Sequence, residues 1–279
     1  MIKEFIMLSG SVLLAGVRSV ASKGGTAYTK REDFYLYHFL VFFFAFVVVL
    51  IAGCFAGFSV SDGKLLCASL YALLTFLSQM LFVKAVAYGD VAICSMFYSC
   101  GFLLPTFFGL LAYHESIRWT GVVGIAAILA ALGTGMGCRR SPTGRSMPYA
   151  LLAMLCSGGV GIVQKVYRQS DMADDLFGML IPAFLLILAW LLLRMPKRKI
   201  PARDMVMQSS LVGLSFGTVN VLNLSLAGLL PSSVLFPFIN GGAILSSSLL
   251  ARFALKQKLG VKGRIALIMA VFGIVLIAL

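Results

Sequence analysis

The chain has 279 residues, 60% of them hydrophobic and 12% charged, with a formal net charge of +13. A soluble domain carries about 25% charged residues, so this composition excludes an ordinary water-soluble globule. Most of the 23 basic residues lie in loops between apolar runs or near the run ends, with no basic helix or aromatic platform, so they suit anionic headgroups and exclude nucleic acid as the expected partner.

Taken in order, the apolar runs lie near 4–21, 35–57, 65–88, 91–113, 119–138, 148–168, 176–193, 205–229, 232–253 and 262–279. Each is on the order of twenty residues, enough to cross a hydrocarbon core of roughly 30 Å at 1.5 Å per helical residue. A backbone in lipid must satisfy its own hydrogen bonds, which predicts helices. The short alternating segments of a barrel are absent. Met1-Ile2-Lys3 and the apolar residues after it resemble a signal peptide with a cleavage site at Ser19-Val20-Ala21, but the adjoining Arg18 favours an uncleaved first span. All six cysteines, Cys54, Cys67, Cys94, Cys100, Cys138 and Cys156, fall in or at the ends of apolar runs. None forms a Cys-x-x-Cys pair, so neither zinc nor a disulfide framework is signalled.

The stretch from Ala85 to Gly133 has a weaker copy at the end of the chain. Shifted by 142 positions, Glu115-Ser116-Ile117 falls on Gln257-Lys258-Leu259, Gly121 on Gly263 and Gly124 on Ala266, while Pro105 falls on Ser247. At a shift of 148, Ser9-Gly10 matches Ser157-Gly158. The expected fold is therefore an all-α polytopic membrane protein of ten transmembrane helices in two five-helix repeats. The repeats span 1–138 and 148–279 and are joined by a connecting loop at 139–147. An odd helix count per repeat makes them inverted, a plan recurrent in secondary transporters. The loops after spans 1, 3, 5, 7 and 9, with their helix ends, hold 18 of the basic residues; Lys3, Lys64, Arg118, Lys165 and Arg168 lie on the other side. The positive-inside rule places the richer loops in the cytoplasm and both termini outside a cell membrane.

The two five-span halves, and the run Ala85-Val86-Ala87, Val91-Ala92, Pro105, Glu115 and Gly124, resemble the drug/metabolite transporter superfamily and specifically its EamA-like members. The second copy, from Val234 to Leu279, fits that helix–Glu–helix pattern less well and carries Gln257 where the family often has Glu. Members usually keep both termini in the cytoplasm, which the charge pattern here reverses. The resemblance implies that spans 5 and 10 are peripheral and that the others line a cavity.

Polar residues inside a span are costly and invite a functional reading. Gly213, Gly217, Asn220 and Asn223 share one face of span 8, and Ser233, Pro237 and Asn240 one face of span 9. Thr75 and Gln79 share a face of span 3, as do Ser95, Tyr98 and Phe102 of span 4. The expected substrate-binding residues are Asn220, Asn223, Asn240, Gln79, Tyr98, Gln164 and Lys165; the competing reading is that the amides only bond helix to helix. Arg18, Lys84 and Lys165 lie within about one turn of a span end, where long basic side chains snorkel to headgroups. Glu115 is expected to cap the joint between spans 4 and 5, and His38 and His114 to lie at the interface. With no Asp or Glu in the middle of any span, cationic substrates are disfavoured. The expected function is a secondary transporter of a small polar metabolite (neutral, zwitterionic or anionic) working by alternating access. A non-transporting receptor or assembly subunit and an exporter of hydrophobic drugs are the alternatives. A membrane enzyme is disfavoured for want of a catalytic constellation. A small-molecule substrate and the bilayer are the expected partners, a homodimer is left open, and no cofactor or metal is expected.

Overall fold

A computed structural model describes residues 2–28, 31–136, 145–171, 175–194, 201–254 and 261–278. The described residues are α-helical with short 3₁₀ turns and no strand. The helices are α1 (Ile2–Ala21), α2 (Arg31–Ala56), α3 (Asp62–Tyr88), α4 (Val91–Ser99), α5 (Leu103–Ala112) and α6 (Trp119–Met136). They continue with α7 (Ser146–Gln169), α8 (Phe177–Arg194), α9 (Arg203–Ala227), α10 (Ser232–Ala254) and α11 (Val261–Ala278). Among the described residues, eight stretches are long and apolar enough to cross a membrane, α4 and α5 counting as one. The apolar parts of α6 and α11 are shorter, Trp119–Ala131 and Arg264–Gly273. The repeat residues Gln257, Lys258 and Leu259, Cys138 and the loop residues 139–144 lie outside the described residues.

The single helix expected over 91–113 is broken by a 3₁₀ turn at Cys100–Phe102. Pro105 has no N–H to give the Gly101 carbonyl four residues back, which loosens the ladder at that point. Helices of the first half pack chiefly on helices of the second. α1 lies against α9 and α10, α2 against α8 and α9, α3 against α7 and α8, and α6 against α11. The α4–α5 rod lies between α7 and α10.

Shape complementarity rather than water exclusion holds helices together in lipid. Phe42 of α2 sits 5.8–6.1 Å, ring to ring, from Phe76 (α3), Phe184 (α8) and Phe216 (α9), closing one core across four helices. On the face of α9 that meets α2, a side chain at Gly213 or Gly217 would strike the Val41 and Ala45 carbonyls. The two glycines thus set the close α2–α9 crossing. Large apolar side chains such as Phe55 (90% exposed) and Leu193 (84%) face outward, as a lipid-covered surface requires.

Candidate functional site

A cavity of about 80 Å³ opens where α1, α3, the α4–α5 break, α7, α9 and α10 meet. At roughly 10–15 Å³ per water on this measure, it has room for about five waters or a small organic molecule. Of the seven residues expected to bind substrate, Asn220, Asn223, Asn240, Tyr98 and Gln164 line it, and Gln79 and Lys165 do not. α6 and α11 contribute nothing to it, as the resemblance implied, but neither do α2 and α8. That corrects the expectation that all spans but 5 and 10 line the cavity: α2 and α8 stack flat on α9 and α3 and stand behind them.

Each amide is partly committed to the protein. Tyr71 Oη donates to Asn220 Oδ1, Gln164 Nε2 donates to Tyr71 Oη at 3.4 Å, and Asn220 Nδ2 donates to the Phe216 carbonyl at 2.7 Å. Asn223 Oδ1 accepts from Ser11 Oγ at 2.6 Å. Asn240 Nδ2 donates to the Phe236 carbonyl at 2.8 Å, which spends one donor on its own helix. The Asn223 N–H groups and the Asn240 carbonyl oxygen keep hydrogen-bonding capacity for the cavity. Gln79 is fully buried elsewhere in α3, and neither its amide oxygen nor its nitrogen has a hydrogen-bond partner.

Two basic residues correct the snorkelling expectation. Arg18 is 6% exposed and lines the cavity. The chain doubles back after α1 through the 3₁₀ turn Gly24–Tyr28, which covers the end of that helix. Arg18 therefore has no path to headgroups. Its guanidinium lies 5.0 Å from the Tyr98 ring centre, 5.1 Å from Phe216 and 6.0 Å from Phe82. Lys165 is 2% exposed and pairs with Glu115 Oε1 at 2.6 Å. Lys84 is half-buried against the Phe34 and Tyr149 rings. His38 is buried, with Nδ1 2.8 Å from the Phe34 carbonyl.

Glu115 also accepts from the Ser232 backbone N–H at 2.8 Å, at the first residue of α10. It reaches there because the chain bends at His114, which takes φ 50°, while Glu115 N–H donates to the Gly109 carbonyl. Glu115 and Lys165 thus join α5 of the first half to α7 and α10 of the second. A second such contact joins Lys64 of α3 to Asp175, before α8, at 2.9 Å. Ser59 Oγ and its N–H both donate to Asp175 Oδ2, and the Gly178 N–H donates to Oδ1. Burial would raise the Asp175 carboxyl, but Lys64 and these donors outweigh it and hold the group below its ordinary range.

Ser11, Ser19 and Tyr71 join the cavity or its hydrogen bonds without having been expected there, and Arg18 lines the cavity where headgroup contact was expected. Ser11, Ala15, Arg18 and Ser19 of α1, with Ser22 just past its end, form a buried stripe at helical spacing. That polar stripe inside an apolar run was the available signal.

These features define a polytopic α-helical membrane protein with a polar cavity at its centre. Residues 2–134 match the EamA-like transporter family, which supports the resemblance to the drug/metabolite transporter superfamily over that stretch. No curated protein matches the sequence. A solved protein crystal structure superposes with a TM-score of 0.65 at 17% identity, covering 96% of this chain and 98% of that chain. At that identity the likeness is one of fold.

Proposed function

We propose that the protein is a secondary transporter that moves a small polar metabolite (neutral, zwitterionic or anionic) across the cell membrane by alternating access. The carrying observation is the convergence of Asn220, Asn223, Asn240, Tyr98 and Gln164 on one cavity between the two halves. A hydrophobic drug would leave those half-used amides unpaired, which disfavours that alternative.

The inverted-repeat plan is supported by the helix pairings, counting the α4–α5 rod as one span. Exchanging the first five spans for the last five turns α1–α9 into α7–α3 and α2–α9 into α8–α3. The same exchange leaves α6–α11 and α2–α8 unchanged. A ten-span reading then takes α6 and α11 as crossing too. In this reading the Lys64–Asp175 and Lys165–Glu115 contacts lie on the extracytoplasmic side and bridge the halves where a closed gate would stand.

Uptake of a metabolite mixture into liposomes holding the purified protein tests the reading. Accumulation above that of protein-free liposomes is expected. No accumulation of any component would leave a receptor or assembly subunit as the reading.

A further inference from the structure

Arg18 is the one charged side chain among the described residues that line the cavity. It is more than nine-tenths buried, and its Nε has no hydrogen-bond partner. Lys64 and Lys165 are neutralised by Asp175 and Glu115. No carboxylate of the described residues pairs with Arg18. The Tyr98 hydroxyl and the aromatic faces engage the guanidinium without supplying a carboxylate countercharge, and they return only part of what its removal from water costs. The guanidinium thus has no carboxylate countercharge among the described residues.

We propose that the cavity binds a small monocarboxylate through the Arg18 guanidinium. One fixed positive charge balances one negative charge, and the planar fork of a guanidinium matches the two oxygens of a carboxylate. A phosphate dianion would call for a second cation, and Arg18 is the one cation among the described residues that line the cavity. The Asn223 N–H groups and the Asn240 carbonyl oxygen then receive a hydroxyl or other polar group on the body of the acid. A cation meets like charge in this cavity. A neutral solute leaves the guanidinium uncompensated. This inference rests on the transporter reading and narrows its substrate to an acid.

The test uses acetate, the carboxylate small enough to enter any larger carboxylate site, against acetamide, ethylammonium and inorganic phosphate at equal ionic strength. The readout is the melting temperature of the purified protein over a titration of each solute. Acetate is expected to raise it with saturation, and the other three to fall short of acetate. Arg18→Gln is expected to abolish the saturable acetate response, and Arg18→Lys to weaken apparent acetate affinity about tenfold. If Arg18→Gln does not fold, the acetate–acetamide difference and its reduction in Arg18→Lys decide the matter. Equal responses to acetate and acetamide, no saturable acetate response, or an acetate response that survives Arg18→Gln would overturn the proposal. A phosphate response that exceeds acetate and depends on Arg18 overturns the carboxylate assignment. Arg18-dependent acetate binding by a protein that moves no solute in liposomes would overturn the transporter reading alone. Transport of neutral or cationic solutes with acetate inert would overturn the acid alone.

Discussion

Ser11 Oγ lies 2.6 Å from Asn223 Oδ1 and donates to it, tying α1 to α9 across 212 positions of sequence. The bond uses the amide's acceptor and leaves its N–H groups to the cavity. One residue thus holds helices together and lines the site, so the two roles have to be separated by different substitutions.

Ser11→Ala removes only the tie, and a loss of about 0.6 kcal/mol in stability is expected, typical of interhelical bonds in lipid. Asn223→Leu removes the cavity donors as well. Its expected cost is about 1–3 kcal/mol in substrate affinity, roughly 5- to 150-fold. Binding and thermal unfolding measured on the same purified variants separate the two; unchanged affinity in Asn223→Leu would reduce the amide to interhelical glue.

Glu115→Gln strands the Lys165 ammonium, which is 2% exposed. Removing one partner of a buried pair costs about 3–5 kcal/mol, so folded yield is expected to fall further than substrate affinity. Adding Lys165→Met, which removes the stranded charge, is expected to recover part of the yield. Near-normal yield with abolished transport would instead make Glu115 a coupling residue.

The Asp175 carboxyl is held below its ordinary range in the folded protein. A depressed folded value means that its contribution is fully present above the unfolded aspartate range, near 3.9, and is lost as pH falls through the folded value. The stability difference between wild type and Asp175→Asn should stay flat from neutral pH to about 5 and shrink only under stronger acid. A difference that already declines between pH 7 and 6 would show another group in control.

His114 holds the left-handed backbone that turns Glu115 toward α10. Such a conformation costs a non-glycine residue about 1–2 kcal/mol. His114→Gly is expected to raise thermal stability by up to about 1 kcal/mol. His114→Val should lower it, because a β-branched side chain is a genuine outlier there. Equal stabilities for the two variants would remove the backbone role.

Both termini are expected outside the cytoplasm, given 18 basic residues on one side against 5 on the other. A C-terminal reporter that is active only in the cytoplasm should be silent. A bright fusion would restore the orientation usual among the relatives.

Most helix ends lie within about three residues of the apolar runs, since a segment in lipid has no alternative to pairing its own backbone. The break at Cys100–Phe102 was less legible: Pro105 stood in the sequence, but a proline kinks one helix and splits another according to its neighbours. Asn220, Asn223 and Asn240, which line the cavity, were legible as candidates because an amide within an apolar run must find a partner. Gln79 satisfied the same rule and lies outside the cavity, because periodicity assigns it a face and says nothing of the neighbour that face meets.

The sequence by itself determined that the chain is helical, that it belongs in lipid, and that three asparagines of α9 and α10 sit on inward stripes. All of these follow from local composition and spacing. Only the tertiary structure decided the environments of Arg18 and Lys165. In sequence both are basic residues near a helix end, and such residues normally reach headgroups. Packing covers the end of α1 with the Gly24–Tyr28 turn and leaves Arg18 facing aromatic rings and a cavity. The same packing brings Glu115 from 50 residues away to neutralise Lys165. A charge's partner depends on which helices lie beside it, and that is set by side-chain shape across the whole bundle.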